Sequence, residues 1–370
     1  MQNRLIQLCL LSLLSLLVSG AWADYLDYGL YWYGKDQAAE KYTGAGNSYY
    51  DDAKPTLIYV HGWQFDTVQD DYWRENFNFQ HNEESNGYDI DEAAAWIDAG
   101  WNVGIYYWNQ FADEINIYDA EAKIWTIDGG QGMRYRQSNG SYSTAQSPSK
   151  PIAQLMAETI AEALQDNSNG YLLLHGHSLG AQAAIATAYK LTTMAEQGTV
   201  SAAMIPERLV LSDPYWTNFG QSYLDGAWTG EVSRTYVRYL IDHYDLAVEM
   251  TRSSGICDLS LGDCNDNMTD MVAFQRLRPW YLASTDIAAK HTMANDWWTL
   301  TKTYDAPEEV DADYNETGAV AVSAATSDSR IKAMMGSDYE WDQVAGRYTS
   351  NPDDDQFEMV DLSCWSWWCW

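Results

Sequence analysis

The sequence predicts an α/β protein with a mostly parallel central sheet flanked by helices, and three observations carry that prediction. From Pro55 onward, apolar runs of strand length alternate with helix-compatible segments, the order that builds a parallel sheet. The apolar runs are nearly continuous, as strands covered on both faces must be. One of them, "YLLLHG", passes through Gly-His-Ser-Leu-Gly directly into the small residues "AQAAIATAYK".

In chain order, "TLIYVHG" reads as a strand, "DEAAAWIDAG" as a helix, "WNVGIYYW" as a strand, "PIAQLMAETIAEALQD" as a helix and "YLLLHG" as a strand. A helix follows Ser178 to about Met194, then "RLVLSDP" as the next strand and "RTYVRYLID" as another. Between Ile127 and Lys150 the chain is rich in Gly, Ser and Gln and reads as a surface loop. After Tyr304 the pattern weakens into an acidic stretch short of large apolar residues, which reads as a flexible connection. No internal repeat of 20 to 50 residues is found.

A chain of 370 residues is long enough for one large α/β domain or two small ones. The 53 acidic residues against 21 basic ones give a net charge of −32, which repels nucleic acid and anionic membrane surfaces, so no nucleic-acid partner is expected. The acidity reads as an adaptation to salty surroundings, where screening relieves self-repulsion. The first 23 residues combine Arg4, an apolar run from Leu5 to Val18 and Ala21-Trp22-Ala23; they read as a signal peptide cleaved after Ala23, and the protein as secreted or periplasmic. Residues 24–304 then form the catalytic domain. Residues 305–370 form an acidic C-terminal extension ending in the Trp-rich "CWSWWCW".

Export gives the cysteines meaning. Without Cys9, four remain, and proximity pairs Cys257 with Cys264 and Cys364 with Cys369, although four cysteines allow three connectivities. A zinc site is the weaker alternative, because no Cys-x-x-Cys or nearby histidine pair accompanies them. No metal and no cofactor are expected.

A strand ending in Gly-x-Ser-x-Gly and running into a helix is a nucleophile elbow, a tight turn that exposes a serine hydroxyl at the carboxyl end of a sheet. A serine hydroxyl needs a base, and in this architecture the chain order is serine, acid, histidine. His61 and His81 precede the elbow and His175 and His177 flank it, which leaves His243 and His291, with His291 preferred. The acid that orients the imidazole is Asp213 in "LVLSDPYW" or, as the alternative, Asp245 in "YLIDHYDLAV". Backbone donors for an oxyanion are expected at Leu179, directly after the serine, and at Trp63, where Gly62 permits a tight turn in "YVHGWQ".

These segments, with "WNVGIYYWNQFADEINIYDAEAKIW", "HGHSLGAQAA" and "HTMANDWW", resemble the secreted lipase family that includes the pancreatic lipases, a branch of the α/β-hydrolases. The resemblance runs from about Thr56 to Trp298. It implies the α/β-hydrolase fold, Ser178 as nucleophile, Asp213 as acid, His291 as base, and Trp63 and Leu179 as oxyanion donors. Asp213 gains over Asp245 because in that family the acid follows the strand after the elbow. The family often carries a disulfide-bounded lid between acid and histidine, which "ICDLSLGDC" would supply unless it is a pinned turn; its aspartates Asp258 and Asp263, with Asp266 and Asp270, are calcium candidates without an EF-hand pattern. The acid lies farther beyond the serine than in that family.

The 18 tryptophans and 27 tyrosines suit an acyl-lipid, wax or carbohydrate-ester substrate. The expected activity is hydrolysis of carboxylic esters by a lipase or esterase, with transient contact to a lipid interface. The alternatives are a phospholipase, a carbohydrate-ester hydrolase, or a non-catalytic lipid- or glycan-binding protein on the same fold.

Overall fold

The computed structural model describes residues 25–362 apart from 37, 45, 70–73, 80–89 and 260. The expected signal peptide, His81, the Cys364–Cys369 pair and the Trp-rich terminus lie outside the described residues.

Among the described residues twelve strands join one sheet: β1 (Gly29–Tyr33), β2 (Ala39–Lys41), β3 (Thr56–Val60), β4 (Asn102–Tyr107), β5 (Leu172–His177), β6 (Arg208–Ser212), β7 (Ala247–Arg252), β8 (Ala273–Arg276), β9 (Glu308–Val310), β10 (Glu316–Val320), β11 (Tyr339–Ala345) and β12 (Gln356–Asp361). Their order is β2-β1-β4-β3-β5-β6-β7-β8-β11-β12-β9-β10. Neighbours from β4 through β11 are parallel, whereas β1 and β2 close one edge in antiparallel fashion. This is the predicted α/β class, a mostly parallel central sheet flanked by helices. From β3 the chain goes to one side to form β4 and then returns to the other to form β5, so the carboxyl ends of β3 and β5 flank the point where the strand order reverses. That is where an open α/β sheet leaves a crevice.

Side-chain alternation sorts the buried strands into two layers. In β3, Ile58 and Val60 face one layer and Leu57 and Tyr59 the other. The first layer is covered by α2 (Ile117–Trp125), α3 (Ile152–Ala163), α4 (Leu179–Glu196) and α5 (Thr229–Tyr244), through residues such as Ile124, Ile160, Ile185 and Leu240. The second is covered by α1 (Glu92–Asp98), α6 (Ile287–Leu300) and α7 (Asp328–Met334), through Trp96, Trp298 and Ile331. Every residue of α4 from Leu179 to Ala188 is buried, which explains its run of alanines: only small side chains let a helix lie this close to the sheet.

Two expectations fail. The segment "RTYVRYLID" belongs to helix α5, not to a strand. Its buried residues Ser233, Val237 and Leu240 recur at helical spacing, a period that the β-branched and aromatic content disguised; the strand is the following "AVEMTR". The second failure concerns the region after Tyr304, which is neither a flexible connection nor separate from the sheet, since it supplies β9 to β12 and α7. Arg208 on β6 fastens it. Fully enclosed, the guanidinium pairs with Glu249 and donates to the carbonyls of Ser323 and Thr326, each at 2.7 Å. The acidity that suggested a linker belongs largely to exposed turn residues, while Val310, Ala321, Val322, Trp341 and Phe357 enter the core.

Candidate active site

Ser178 stands at the turn from β5 into α4 with φ 56° and ψ −124°, a conformation that costs an L-residue on the order of 1–3 kcal/mol. The two glycines make that turn buildable. A Cβ on Gly176 would lie 2.3 Å from the Gly180 carbonyl oxygen, and one on Gly180 would lie 2.1 Å from that of Val60. Strand and helix therefore meet backbone to backbone, and the serine side chain is left at the carboxyl edge of the sheet, 6 % exposed.

Asp213 follows β6 directly and is 1 % exposed. Its Oδ2 accepts from His291 Nδ1 at 2.8 Å. His291 lies in the first turns of α6, whose Trp298 packs on His175 of β5; the helix thus runs back along the sheet and keeps its amino end at the carboxyl edge. The His291 ring rests on that of His177, with centroids 4.4 Å apart, and His177 Nε2–H donates to the His291 carbonyl at 3.1 Å. The residue before the serine thereby touches the imidazole that the acid holds. No hydrogen bond joins Ser178 Oγ to His291 among the described residues; such contacts often tighten only when substrate is present.

The turn after β3 approaches the same point. A Cβ on Gly62 would lie 2.6 Å from Ser178 Cβ and 3.1 Å from its Oγ, so the backbone itself forms the wall beside the hydroxyl. His61 sets the orientation of that wall. Burial pushes its imidazole down to about 3, so it is neutral. The Trp108 N–H donates to His61 Nε2 at 3.1 Å, leaving the proton on Nδ1 to donate to the Gly62 carbonyl at 3.0 Å. In a trans peptide the carbonyl and the following N–H point opposite ways, so the Trp63 N–H is turned away from His61. Among the described residues neither the Trp63 N–H nor the Leu179 N–H donates to another group of the chain. The Trp63 indole is anchored separately, on the Glu114 carbonyl at 2.6 Å.

The remaining candidates lie elsewhere. Asp245 is the left-handed C-cap of α5 and pairs at the surface with Lys332 at 2.8 Å. The α5 correction explains this: as a helix end preceding β7, Asp245 sits at the amino edge of the sheet, away from Ser178. His243 is on the exposed face of α5, stacked on Tyr239. Cys257 and Cys264 form the expected disulfide. Their loop is pinned rather than free, because Gly262–Asp263 pairs with Trp216–Thr217 and the Asn218 N–H donates to the Leu261 carbonyl at 2.8 Å. Asp266 salt-bridges Arg252 at 3.0 Å. Among the described residues, one group of three side chains could hold a metal ion, Cys257, Asp258 and Cys264, and both of its thiols are consumed by the disulfide.

Segments that follow the carboxyl ends of β3, β4, β6 and β7 expose large apolar side chains, namely Phe65, Ile115, Phe219, Leu259 and Leu261 on loops and Tyr118 in the first turn of α2. Near the site lie two carboxylates, one buried and one half-buried. Glu75, which accepts from Gln64 and Tyr59, and Asp296 on α6 are both raised by burial, Asp296 to about 7 with the charge of Glu75 adding to the effect. The sequence reading set His61 aside as a base without giving it an orienting role, and it passed over the carboxylates. His61 carried a signal, its place directly before the turn glycine.

No protein-family model matches the chain, and no curated protein matches it in sequence. Among solved structures it is similar to LpqC, a poly(3-hydroxybutyrate) depolymerase from Bordetella parapertussis, at 12 % identity and TM-score 0.28 over 59 % of this chain and 63 % of that one. It is also similar to a membrane phospholipase A, a bacterial virulence factor, at 14 % identity and TM-score 0.24 over 65 % and 64 %, and to the thioesterase domain from the curacin biosynthetic pathway at 12 % and 0.21 over 77 % and 82 %. The chain spans less than two thirds of the depolymerase and of the phospholipase. Likenesses this distant identify no family.

Proposed function

We propose that the protein is an exported serine hydrolase of carboxylic esters, a lipase of the pancreatic-lipase-like kind with acyl lipids as substrates. The reading is carried by one observation: the hydrogen-bonded Asp213–His291 couple at the carboxyl edge, its imidazole in tilted ring contact with the residue that precedes a serine in a strained turn. Ser178 Oγ attacks the acyl carbon while His291 Nε2 takes its proton, and Asp213 stabilises the resulting imidazolium. The Trp63 and Leu179 N–H groups receive the oxyanion. His291 then protonates the departing alcohol, and water, activated by the same imidazole, releases the acid from the acyl-enzyme.

The exposed apolar side chains on the surrounding loops support an acyl substrate and transient contact with a lipid surface. Export rests on the leader-like first residues, and the Cys257–Cys264 disulfide supports it. The test is labelling of the mature protein with a fluorophosphonate beside Ser178→Ala. Label and short-chain ester cleavage present in the wild type and lost in the variant are expected, with higher rates on emulsified than on dissolved long-chain esters. A wild-type protein that takes no label would instead favour a binding protein.

A further inference from the structure

The turn after β7 holds both partners of the Asp213–His291 couple. Ser253 and Ser254 follow Arg252 at the carboxyl edge, one strand beyond Asp213. The Ser253 N–H points to Asp213 Oδ1 at 3.4 Å, and Ser254 Oγ donates to Oδ2, the same oxygen that accepts from His291. The Ile256 N–H donates to Ser254 Oγ at 3.2 Å, which occupies a lone pair of that hydroxyl and directs its proton to the carboxylate. On the other side, Ser253 Oγ donates to the carbonyl of Lys290, the residue before His291. One dipeptide therefore grips the acid and the backbone that carries the imidazole.

The turn is itself fixed. Cys257 is tied to Cys264, the loop between them pairs with Trp216–Thr217, and Arg252 reaches Asp266 and the Cys264 carbonyl. A carboxylate rotates freely about its last bond unless donors at both oxygens hold its plane, and a buried one needs such donors in any case. Here the two donors come from a braced turn and leave Oδ2 facing the imidazole.

We propose that Ser254, assisted by Ser253, is a positioning residue: it sets the plane of the Asp213 carboxylate and so holds His291 in the Nδ1–H tautomer with its Nε2 turned to the serine. The proposal rests on the function argued above. Its test measures kcat and KM on a soluble short-chain ester, and also the low-field imidazole N–H proton resonance of the full protein without substrate, which reports the Asp213–His291 hydrogen bond independently of activity. Ser254→Ala is expected to move or broaden that resonance and to lower kcat about 10- to 100-fold, the size of effect a small misplacement produces, with KM near wild type. Ser254→Thr, which keeps the hydroxyl, is expected to restore both. If Ser254→Ala does not fold, Ser254→Cys, similar in size with a far weaker donor, is read the same way.

An unmoved resonance with wild-type kcat overturns the proposal, as does a loss that Ser254→Thr shares in full. If Ser178→Ala stays as active as wild type, the catalytic reading fails, while the resonance still decides whether Ser254 orients the couple.

Discussion

At the scale of single residues, the two aspartates that the sequence offers as the acid have opposite fates. Asp213 and Asp245 both have positive φ, 38° and 54°, yet one is enclosed beside an imidazole and the other caps a surface helix. Asp213→Asn is expected to lower kcat by about 10⁴-fold, because the amide favours the wrong imidazole tautomer; Asp245→Asn should leave ester hydrolysis at the wild-type rate, and steady-state kinetics of the pair checks both. Gly62 offers a sharper case. Alanine there drives its methyl into Ser178 at 2.6 Å, so Gly62→Ala should cost on the order of 100-fold in kcat and lower the thermal midpoint through overpacking. A variant that keeps full activity would mean that the turn can move aside.

Helix α6 shows how an element ties the site to the core. Its first turns present His291, and its later turns bury Trp297 and Trp298, with the Trp298 indole on Glu249 and the Trp297 indole on Asp355. Between them sits Asp296, pushed up to about 7 by burial and then by Glu75. The folded protein thus holds this proton at pH values where the unfolded chain, near 3.9, has released it, so stability from this group falls as pH rises from about 4 to about 7 and is level above that. Asp296→Asn should therefore gain in melting temperature over wild type at pH 8 relative to pH 5. Equal differences at the two pH values in calorimetry would mean that Asp296 does not titrate in this window.

For the molecule as a whole, the twelve-strand sheet makes residues beyond Tyr304 part of one cooperative unit. β11 pairs with β8 in parallel, and the Trp341 indole donates to Glu309 inside the core. A chain ended after Tyr304 exposes the β8 edge and leaves the buried Arg208 charge with Glu249 but without three of its acceptors, the Ser323 and Thr326 carbonyls and the Asp328 carboxylate. It is expected to lose cooperative unfolding and to bind hydrophobic dye, as seen by circular dichroism and fluorescence; a sharp melt would mark 305–370 as a separable extension.

Much of this was legible in the chain order. Continuous apolar runs between helical segments determined the α/β class, because strands buried on both faces tolerate few other residues. The glycines around Ser178 determined the turn, because no side chain fits where strand and helix meet. The sequence also pointed to Asp213, His291, Trp63 and Leu179 as the residues to place beside Ser178. Only the tertiary structure shows that Asp213 and not Asp245 lies beside His291, since whether "RTYVRYLID" is strand or helix sets which edge of the sheet the second aspartate reaches. It also revealed the grip of Ser253 and Ser254 and the orienting role of His61, contacts between segments far apart in sequence. Such contacts leave no periodic trace in the chain, because they depend on where the strands end in space rather than on how their residues alternate.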